Sequence, residues 1–299
     1  MSQEKDGLPI TAIREIKLLS RLQHPNLVLL EEVAVGPIGN EFFLIFEYAA
    51  HDLTDILDWS QFVPGSSLTL ANVKCLLLQL LSAVEYLHSH WVIHRDIKVS
   101  NMLYFDHTGV MKLADLGLAR TFSHCNSEPL TPETVTLWYR SPEILFDSFS
   151  YGPSADLWSV GCVFAELVLG KPLFPGDTMM DQLSRITKML GSFHATWPEV
   201  NKLQAFIQSS QRNPEIERRS AQLFHDTFRG PLGETGLDLL KRLLTYDPAQ
   251  RITAAEALEH DFFKQDPLPT PLAQMPSFDH IRRKPPKDLH PQSPRTPAH

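Results

Sequence analysis

Eight residues near the middle of the chain, His94-Arg95-Asp96-Ile97-Lys98-Val99-Ser100-Asn101, hold the side-chain types that phosphoryl transfer needs. A carboxylate at Asp96 can accept the proton of an attacking hydroxyl. Lys98 can neutralise charge on the group in flight. Asn101 and, further on, Asp115 offer oxygen ligands to Mg²⁺, a hard cation. Asp115-Leu116-Gly117 and then Ser141-Pro142-Glu143 follow in the order of a metal-binding D-x-G and a closing P-E motif. His-Arg-Asp alone would be an ordinary tripeptide of a surface turn. With the asparagine at its spacing, a D-x-G one strand's length later and P-E beyond, coincidence is a poor account.

The pattern around these loops supplies elements to position them. Pro9 suits a first helical turn, and Ile10, Ile13, Ile16, Leu19 and Leu22 recur at helical spacing until His24-Pro25-Asn26 ends the run. Residues 27–35 and 41–48 predict two strands joined by a Gly/Pro turn. Asp52-Leu53 opens a helix, residues 72–88 predict a strongly apolar one, and short strands are expected around residues 102–104 and 111–114. Residues 121–133 are polar and aperiodic. Asp156-Leu157-Trp158 starts a buried helix, residues 172–229 mix loops with short helices, and residues 237–244 and 252–258 predict two closing helices. From residue 264 prolines recur with basic residues between them, which predicts a disordered tail over 264–299. Its run Arg282-Arg283-Lys284-Pro285-Pro286-Lys287 matches a nuclear import signal, though a solvated flexible tail is the simpler account.

Composition narrows the class. The 299 residues are 43% hydrophobic, enough for a sizeable core. A net charge of -8 argues against nucleic acid as a direct ligand. Cys75, Cys125 and Cys162 show no C-x-x-C spacing, which argues against a zinc site or disulfide framework and fits a reducing compartment. Met1 precedes polar residues rather than an apolar run, so no signal peptide is expected. The longest apolar stretches, around residues 75–81 and 160–169, read as buried helices too short for a bilayer. The expectation is a protein of the nucleus, the cytoplasm or both, not secreted and not in a membrane.

Between about Gly7 and Phe263 the chain resembles the cyclin-dependent protein kinases. PITAIRE at residues 9–15, HRDIKVSN, DLGLAR, TLWYRSPE and DLWSVG carry the resemblance. The EKDGLPI start, KVSN and LTPETVTLWYR point to the PITSLRE/PISSLRE branch. YAAHDL, HWVIHRD and DPLPT lean to the Mediator-associated kinases, and both branches stay open. The resemblance implies an α+β, two-lobed fold: a small lobe over residues 1–48, a mainly helical large lobe over 49–263, and an activation segment over 115–143. ATP and Mg²⁺ are the implied cofactors.

The same resemblance assigns roles. Asp96, Lys98, Asn101 and Thr136 are the implied catalytic set, with Thr136 bridging Asp96 and Lys98. Asn101 and Asp115 would hold the metal. Phe46 would guard the adenine pocket, the backbone of Glu47 and Ala49 would bind adenine, Asp52 belongs to the nucleotide site, and Leu103 and Ala114 would line its floor. Thr131 is the implied activating phosphosite, addressed by another kinase, with Arg14, Arg95 and Arg120 as its cations. Glu15 is the helix glutamate. Asp156 would hold the HRD backbone, and Arg251 would pair with Glu143. A cyclin would dock on the helix from Pro9 to Glu15, and substrates would carry Ser or Thr before Pro. The sequence departs from the pattern in one respect: no G-x-G-x-x-G and no V-A-I-K lysine occur in it, and only Lys5 precedes Glu15. The small lobe is therefore expected to be incomplete. Either this is a shortened kinase or a pseudokinase-like module that binds a cyclin without transferring phosphate.

Overall fold

The computed structural model describes residue 16 and residues 19–36, 42–63, 68–121, 136–146, 152–197, 200, 214–278 and 281. In chain order they form β1 (Leu30–Val35), β2 (Phe42–Phe46), β3 (His51–Asp52), α1 (Leu53–Phe62), α2 (Leu70–Ser89), β4 (Val92–Ile93), β5 (Met102–Phe105), β6 (Val110–Leu113) and β7 (Arg120–Thr121). Helices follow: α3 (Pro142–Leu145), α4 (Ser154–Leu169), α5 (Met179–Leu190), α6 (Phe193–Thr196), α7 (Pro214–Leu243) and α8 (Ala254–Leu258).

Two apolar helices make the centre. In α2, Leu76, Leu77, Leu80, Leu81, Val84 and Leu87 are all buried. Each contributes about 1.5–3 kcal/mol on leaving water. Thr69 caps its first turn by accepting from the Asn72 N–H at 3.2 Å. At 20 residues α2 is long and apolar enough to cross a membrane, beyond what the apolar stretch at 75–81 suggested. Most of it is enclosed by the protein, and packing accounts for its composition. In α4, Trp158 and Phe164 are fully buried, and Gly161 lies where a Cβ would meet Leu244 at 2.8 Å. The two helices thus bury the surfaces that the apolar runs predicted.

β1 and β2 pair antiparallel from Leu30 opposite Phe46 to Val35 opposite Phe42, with a register shift between Leu30 and Glu32. This two-stranded unit does not stand apart. Leu113 N–H donates to Asn26 O at 2.8 Å and Val28 N–H to Leu113 O at 3.0 Å, tying the approach to β1 to the end of β6. β5 lies between β3 and β6, both antiparallel to it. β4 pairs with β7, setting Ile93 opposite Arg120.

Two expectations give way. Residues 172–229 do not hold only short helices: α5 runs for 12 residues, and α7 extends to Leu243 across a break at Gly233, where φ is 68°. That left-handed conformation suits glycine, and Pro231 just before it lacks the N–H of a continuous ladder. The tail does not begin at residue 264. Residues 264–278 fold back along the body, burying Met275, Phe278 and then Ile281. Residues 282–299 lie outside the described residues, as do 1–15.

One ion pair closes the lower half. The Arg251 guanidinium grips Glu143 through both nitrogens, at 2.7 and 3.0 Å, with both side chains excluded from water. It also donates to the carbonyls of Thr245, Tyr246 and Ser154. We expect Arg251→Met to lower unfolding stability by about 3–5 kcal/mol, because Glu143 would be left buried and unpaired. Urea unfolding followed by tryptophan fluorescence checks this. A loss under 1 kcal/mol would mean that Glu143 finds another partner.

Candidate active site

Residues 94–101 are shaped by a carboxylate that takes no part in the chemistry. Asp156, in the first turn of α4, is fully buried and accepts from His94 N–H (Oδ2, 2.9 Å) and Arg95 N–H (Oδ1, 2.9 Å). His88 Nε2 lies 2.9 Å from the same Oδ2. The two backbone bonds hold Arg95 at φ 76°, a left-handed conformation that a branched chain at this site would not adopt unaided. His94, also fully buried, stands beneath Asp96. Its Nε2 meets Ala114 O at 3.0 Å and its Nδ1 meets Asp96 N–H at 3.3 Å. A carbonyl only accepts and an amide N–H only donates, so the ring is the neutral Nε2–H tautomer. Burial lowers its pKa and keeps it so.

Asp96 is thereby aimed. Lys98 Nζ donates to its Oδ2 at 2.6 Å, and Asn101 Nδ2 donates to its main-chain carbonyl at 2.8 Å and to Oδ2 at 3.1 Å. The carbonyl bond fixes the Asn101 amide, which turns its oxygen away from Asp96. Ala114 N–H donates to Asn101 O at 2.8 Å and sets the D-x-G strand beside the loop. Asp115 follows at φ 65°, again left-handed, its Oδ1 accepting from Gly117 N–H at 3.2 Å. Its carboxylate is exposed, whereas Leu116 turns into the core. Asp115 and the Asn101 amide oxygen are an oxygen-only donor pair, which fits Mg²⁺ rather than zinc.

The other expected nucleotide residues line the junction with β1–β2. Phe46 ends β2, and Ala49 is buried. Leu103 and Lys112 sit opposite each other on the partly exposed face of the β5–β6 hairpin. The Glu47 side chain was not foreseen. Its Oε1 accepts from Leu29 N–H at 2.7 Å and its Oε2 takes Lys112 Nζ at 2.5 Å. Asp52 has a structural duty too: Oδ1 caps α1 by accepting from Thr54 and Asp55 N–H, at 2.7 and 3.1 Å. Burial raises its pKa.

The expected bridge through Thr136 is absent. Among the described residues no hydrogen bond joins Thr136 to Asp96 or Lys98, and Lys98 reaches Asp96 directly. Arg14, Glu15 and Thr131 lie outside the described residues. Of the three arginines, Arg95 is in the loop, and the backbone of Arg120 pairs with Ile93 two residues before it. A second unforeseen contact lies below: Tyr139 O–H donates to Glu166 Oε2 at 2.7 Å inside the core. The signal was present, since Glu166 is a lone acid in the second half of an apolar helix and a buried acid needs a donor.

Comparison with known proteins agrees with this geometry. The protein kinase domain profile matches residues 1–263. The chain is 44% identical to a probable cyclin-dependent kinase 10 of Dictyostelium discoideum, over 94% of this chain and 74% of that one. It is 43% identical to cyclin-dependent kinase 10 of Rattus norvegicus, over 95% and 76%. Against cyclin-dependent kinase C-1 of Oryza sativa subsp. japonica it is 42% identical, but spans only 55% of that protein. Among solved structures it resembles a chain of the yeast RNA Pol II CTD kinase CTDK-1 complex, with a TM-score of 0.78 and 35% identity, covering 90% of this chain and 86% of that one. The fold is that of a protein kinase. The chain belongs to the cyclin-dependent kinase family, whose members are ATP-dependent serine/threonine kinases.

Glu166 gives the site a pH signature. Burial, opposed by the Tyr139 hydrogen bond, raises its pKa from 4.5 to about 7. Between those values the native state holds more protons than the unfolded state. The stability Glu166 contributes is therefore complete below pH 4.5 and is lost as pH rises through 7. Glu166→Gln removes the titration while keeping an acceptor for Tyr139. Melting curves of the two proteins should coincide near pH 4. By pH 8 the variant should melt several degrees higher, a gap on the order of 3 kcal/mol. His94 shifts the opposite way but is common to both proteins and cancels. Parallel pH profiles would show that Glu166 stays ionised.

Proposed function

We propose that the chain transfers the γ-phosphate of ATP to serine or threonine followed by proline, when a cyclin is bound to residues 9–15. The observation that carries the reading is Asp96, held by Lys98 and Asn101 on a loop locked by Asp156, with Asp115 one residue beyond Ala114, whose N–H donates to Asn101 O. Asp96 accepts the proton of the substrate hydroxyl as its oxygen attacks. Lys98, already on Asp96 Oδ2, is placed to stabilise charge on the moving group. Asp115 and the Asn101 amide oxygen hold Mg²⁺, which neutralises the phosphate oxygens when bound. Glu47, Ala49, Leu103 and Ala114 form the adenine site under Phe46. Arg140 would help shape the pocket for the following proline.

Thr131, phosphorylated by another kinase, would draw Arg14, Arg95 and Arg120 together and so order the activation segment. The partners are thus a cyclin, Ser/Thr-Pro protein substrates and an activating kinase, with no nucleic acid or membrane in direct contact. The nucleus and cytoplasm are the compartments that suit them.

A second reading is a pseudokinase-like module that binds a cyclin without transferring phosphate. Residues 1–299 contain no Gly-rich loop and no V-A-I-K lysine. Loss of one charge-stabilising donor costs about 10²–10³ in rate. On this reading the polypeptide binds a cyclin and transfers phosphate at or near background.

One assay separates the two. Radiolabelled phosphate transfer to a Ser-Pro peptide, with cyclin present, is compared for the wild type and Asp96→Asn. Transfer by the wild type at least about 10²-fold above the variant supports the kinase, since a neutral amide is a poor proton acceptor. Equal background rates support the binding module. Cyclin pull-down that survives joint replacement of Ile10, Ile13 and Arg14 by Ala would remove the docking segment from both readings.

A further inference from the structure

The segment expected to be a disordered tail makes a run of specific contacts as it returns along the body. Gln265 O accepts from Lys74 Nζ at 2.8 Å, a lysine almost wholly buried and 4.5 Å above the Phe262 ring. Thr270 N–H donates to Ala71 O at 3.0 Å, beside the start of α2. The segment then crosses the turn of the β5–β6 hairpin. Gly109, at φ 67°, has no room for a Cβ there, because Leu272 O would lie 2.3 Å from it and Met275 Cβ 2.7 Å. Pro276 O accepts from Tyr104 O–H at 2.8 Å, and Phe278 packs edge-on to Tyr104 with ring centroids 5.3 Å apart. Phe278 N–H donates to the Asp106 carboxylate. A solvated tail would not bury Met275, Phe278 and Ile281 together.

The location gives these contacts a consequence. Side chains alternate along β5, so Met102 and Tyr104 face the rear and are fully buried, while Leu103 faces the proposed adenine site. Residue for residue across the hairpin, Tyr104 faces Met111 and Leu103 faces Lys112. β6 leads directly to Ala114 and Asp115. The rear of the hairpin is also gripped by Gln79, whose Oε1 accepts from Met111 N–H at 2.8 Å and whose Nε2 reaches Gly109 O at 3.4 Å, and by Asn26, whose Nδ2 donates to Met111 O at 2.9 Å. The strap adds contacts to the turn and to Tyr104 together.

We propose that residues 272–278 are a positioning strap for the nucleotide site: by clamping Tyr104 and the hairpin turn from behind, they set the height of Leu103 and the aim of Asp115. The link to nucleotide rests on the kinase reading, whereas the clamp itself does not. Phe278 and Tyr104 are positioning residues and touch neither substrate nor metal.

The test uses the full chain with Phe278→Ala, Phe278→Leu and Tyr104→Phe. Hydrogen–deuterium exchange is read at the amides of β5, β6 and Ala114, with α4 as the internal reference. Phe278→Ala should speed hairpin exchange at least tenfold and leave α4 unchanged. Phe278→Leu should restore most of the protection. Tyr104→Phe, which keeps the ring and loses only the bond to Pro276, should give a smaller increase confined to the same amides. With cyclin present, the KM for ATP should rise three- to tenfold in Phe278→Ala while kcat changes less than twofold. Equal acceleration in α4 would mean a general loss of stability, and unchanged hairpin exchange in both Phe278→Ala and Tyr104→Phe would mean an idle contact. Either result overturns the proposal. The exchange arm needs no turnover: if the wild type transfers no phosphate, the kinase reading falls and the exchange data still decide the strap.

Discussion

A buried carboxylate with three donors organises this protein. Asp156 is an anion almost without solvent, a placement that costs several kcal/mol unless every lone pair finds a partner. The partners it finds are the main-chain N–H groups of His94 and Arg95 and the ring of His88. Hydrogen bonds to a charged acceptor return about 1.5–3 kcal/mol each, enough to hold Arg95 in a left-handed conformation that costs about 1–3 kcal/mol. The loop's path is therefore set before Asp96 is reached. His94, fixed as a neutral tautomer, passes that constraint to Ala114 and so to Asp115.

The Glu143–Arg251 pair extends the same frame downward. Arg251 donates to Ser154 O, in the first turn of the helix that carries Asp156. One helix N-terminus thus receives an arginine from below and presents a carboxylate above. The two networks share α4 rather than touching each other, so disturbance of either must travel through a rigid, fully packed helix. The segment between them, ending in Tyr139 and Ser141, is pinned to the same helix by Ser159 Oγ on Tyr139 O at 2.8 Å and by Tyr139 on Glu166.

The sequence singled out candidate residues more readily than the scaffolding around them. Asp96, Lys98, Asn101 and Asp115 stand out as candidates because phosphoryl transfer admits few residue types, and their spacing is short. Asp156 with the loop and Arg251 with Glu143 were legible only through the family resemblance, since nothing local pairs residues so far apart in the chain. Three kinds of feature stayed hidden. Side chains with two duties, such as Glu47 on Leu29 and Lys112, depend on tertiary proximity that no period encodes. Lys98 contacts Asp96 directly, with no hydrogen bond from Thr136 to either among the described residues. The strap was hidden by its prolines. Composition rightly says that such a segment builds no core of its own. It does not say that a formed body cannot accept Met275 and Phe278 one at a time.

The hairpin β5–β6 is where these arrangements meet, and its two faces are held unequally. Its rear is fastened mainly by enclosed, uncharged contacts: Gln79 to Met111 and Asn26 Nδ2 to Met111 O at 2.9 Å, both buried, and Tyr104 to Pro276, part-buried. Its front is fastened by Lys112 and Glu47, an ion pair with both side chains about one-fifth exposed. Buried hydrogen bonds have no water to exchange with, whereas a partly solvated pair can open at a cost of about 1 kcal/mol. The approach to β1 is stiff as far as Val28, which is bonded to the Leu113 backbone. Leu29 then hangs on the Glu47 side chain. Any swing of β1–β2 relative to the body therefore begins at Leu29 and Glu47, while Leu103 and Asp115 keep their places. Unequal fastening of one hairpin thus leaves its front the face that yields first while its rear holds.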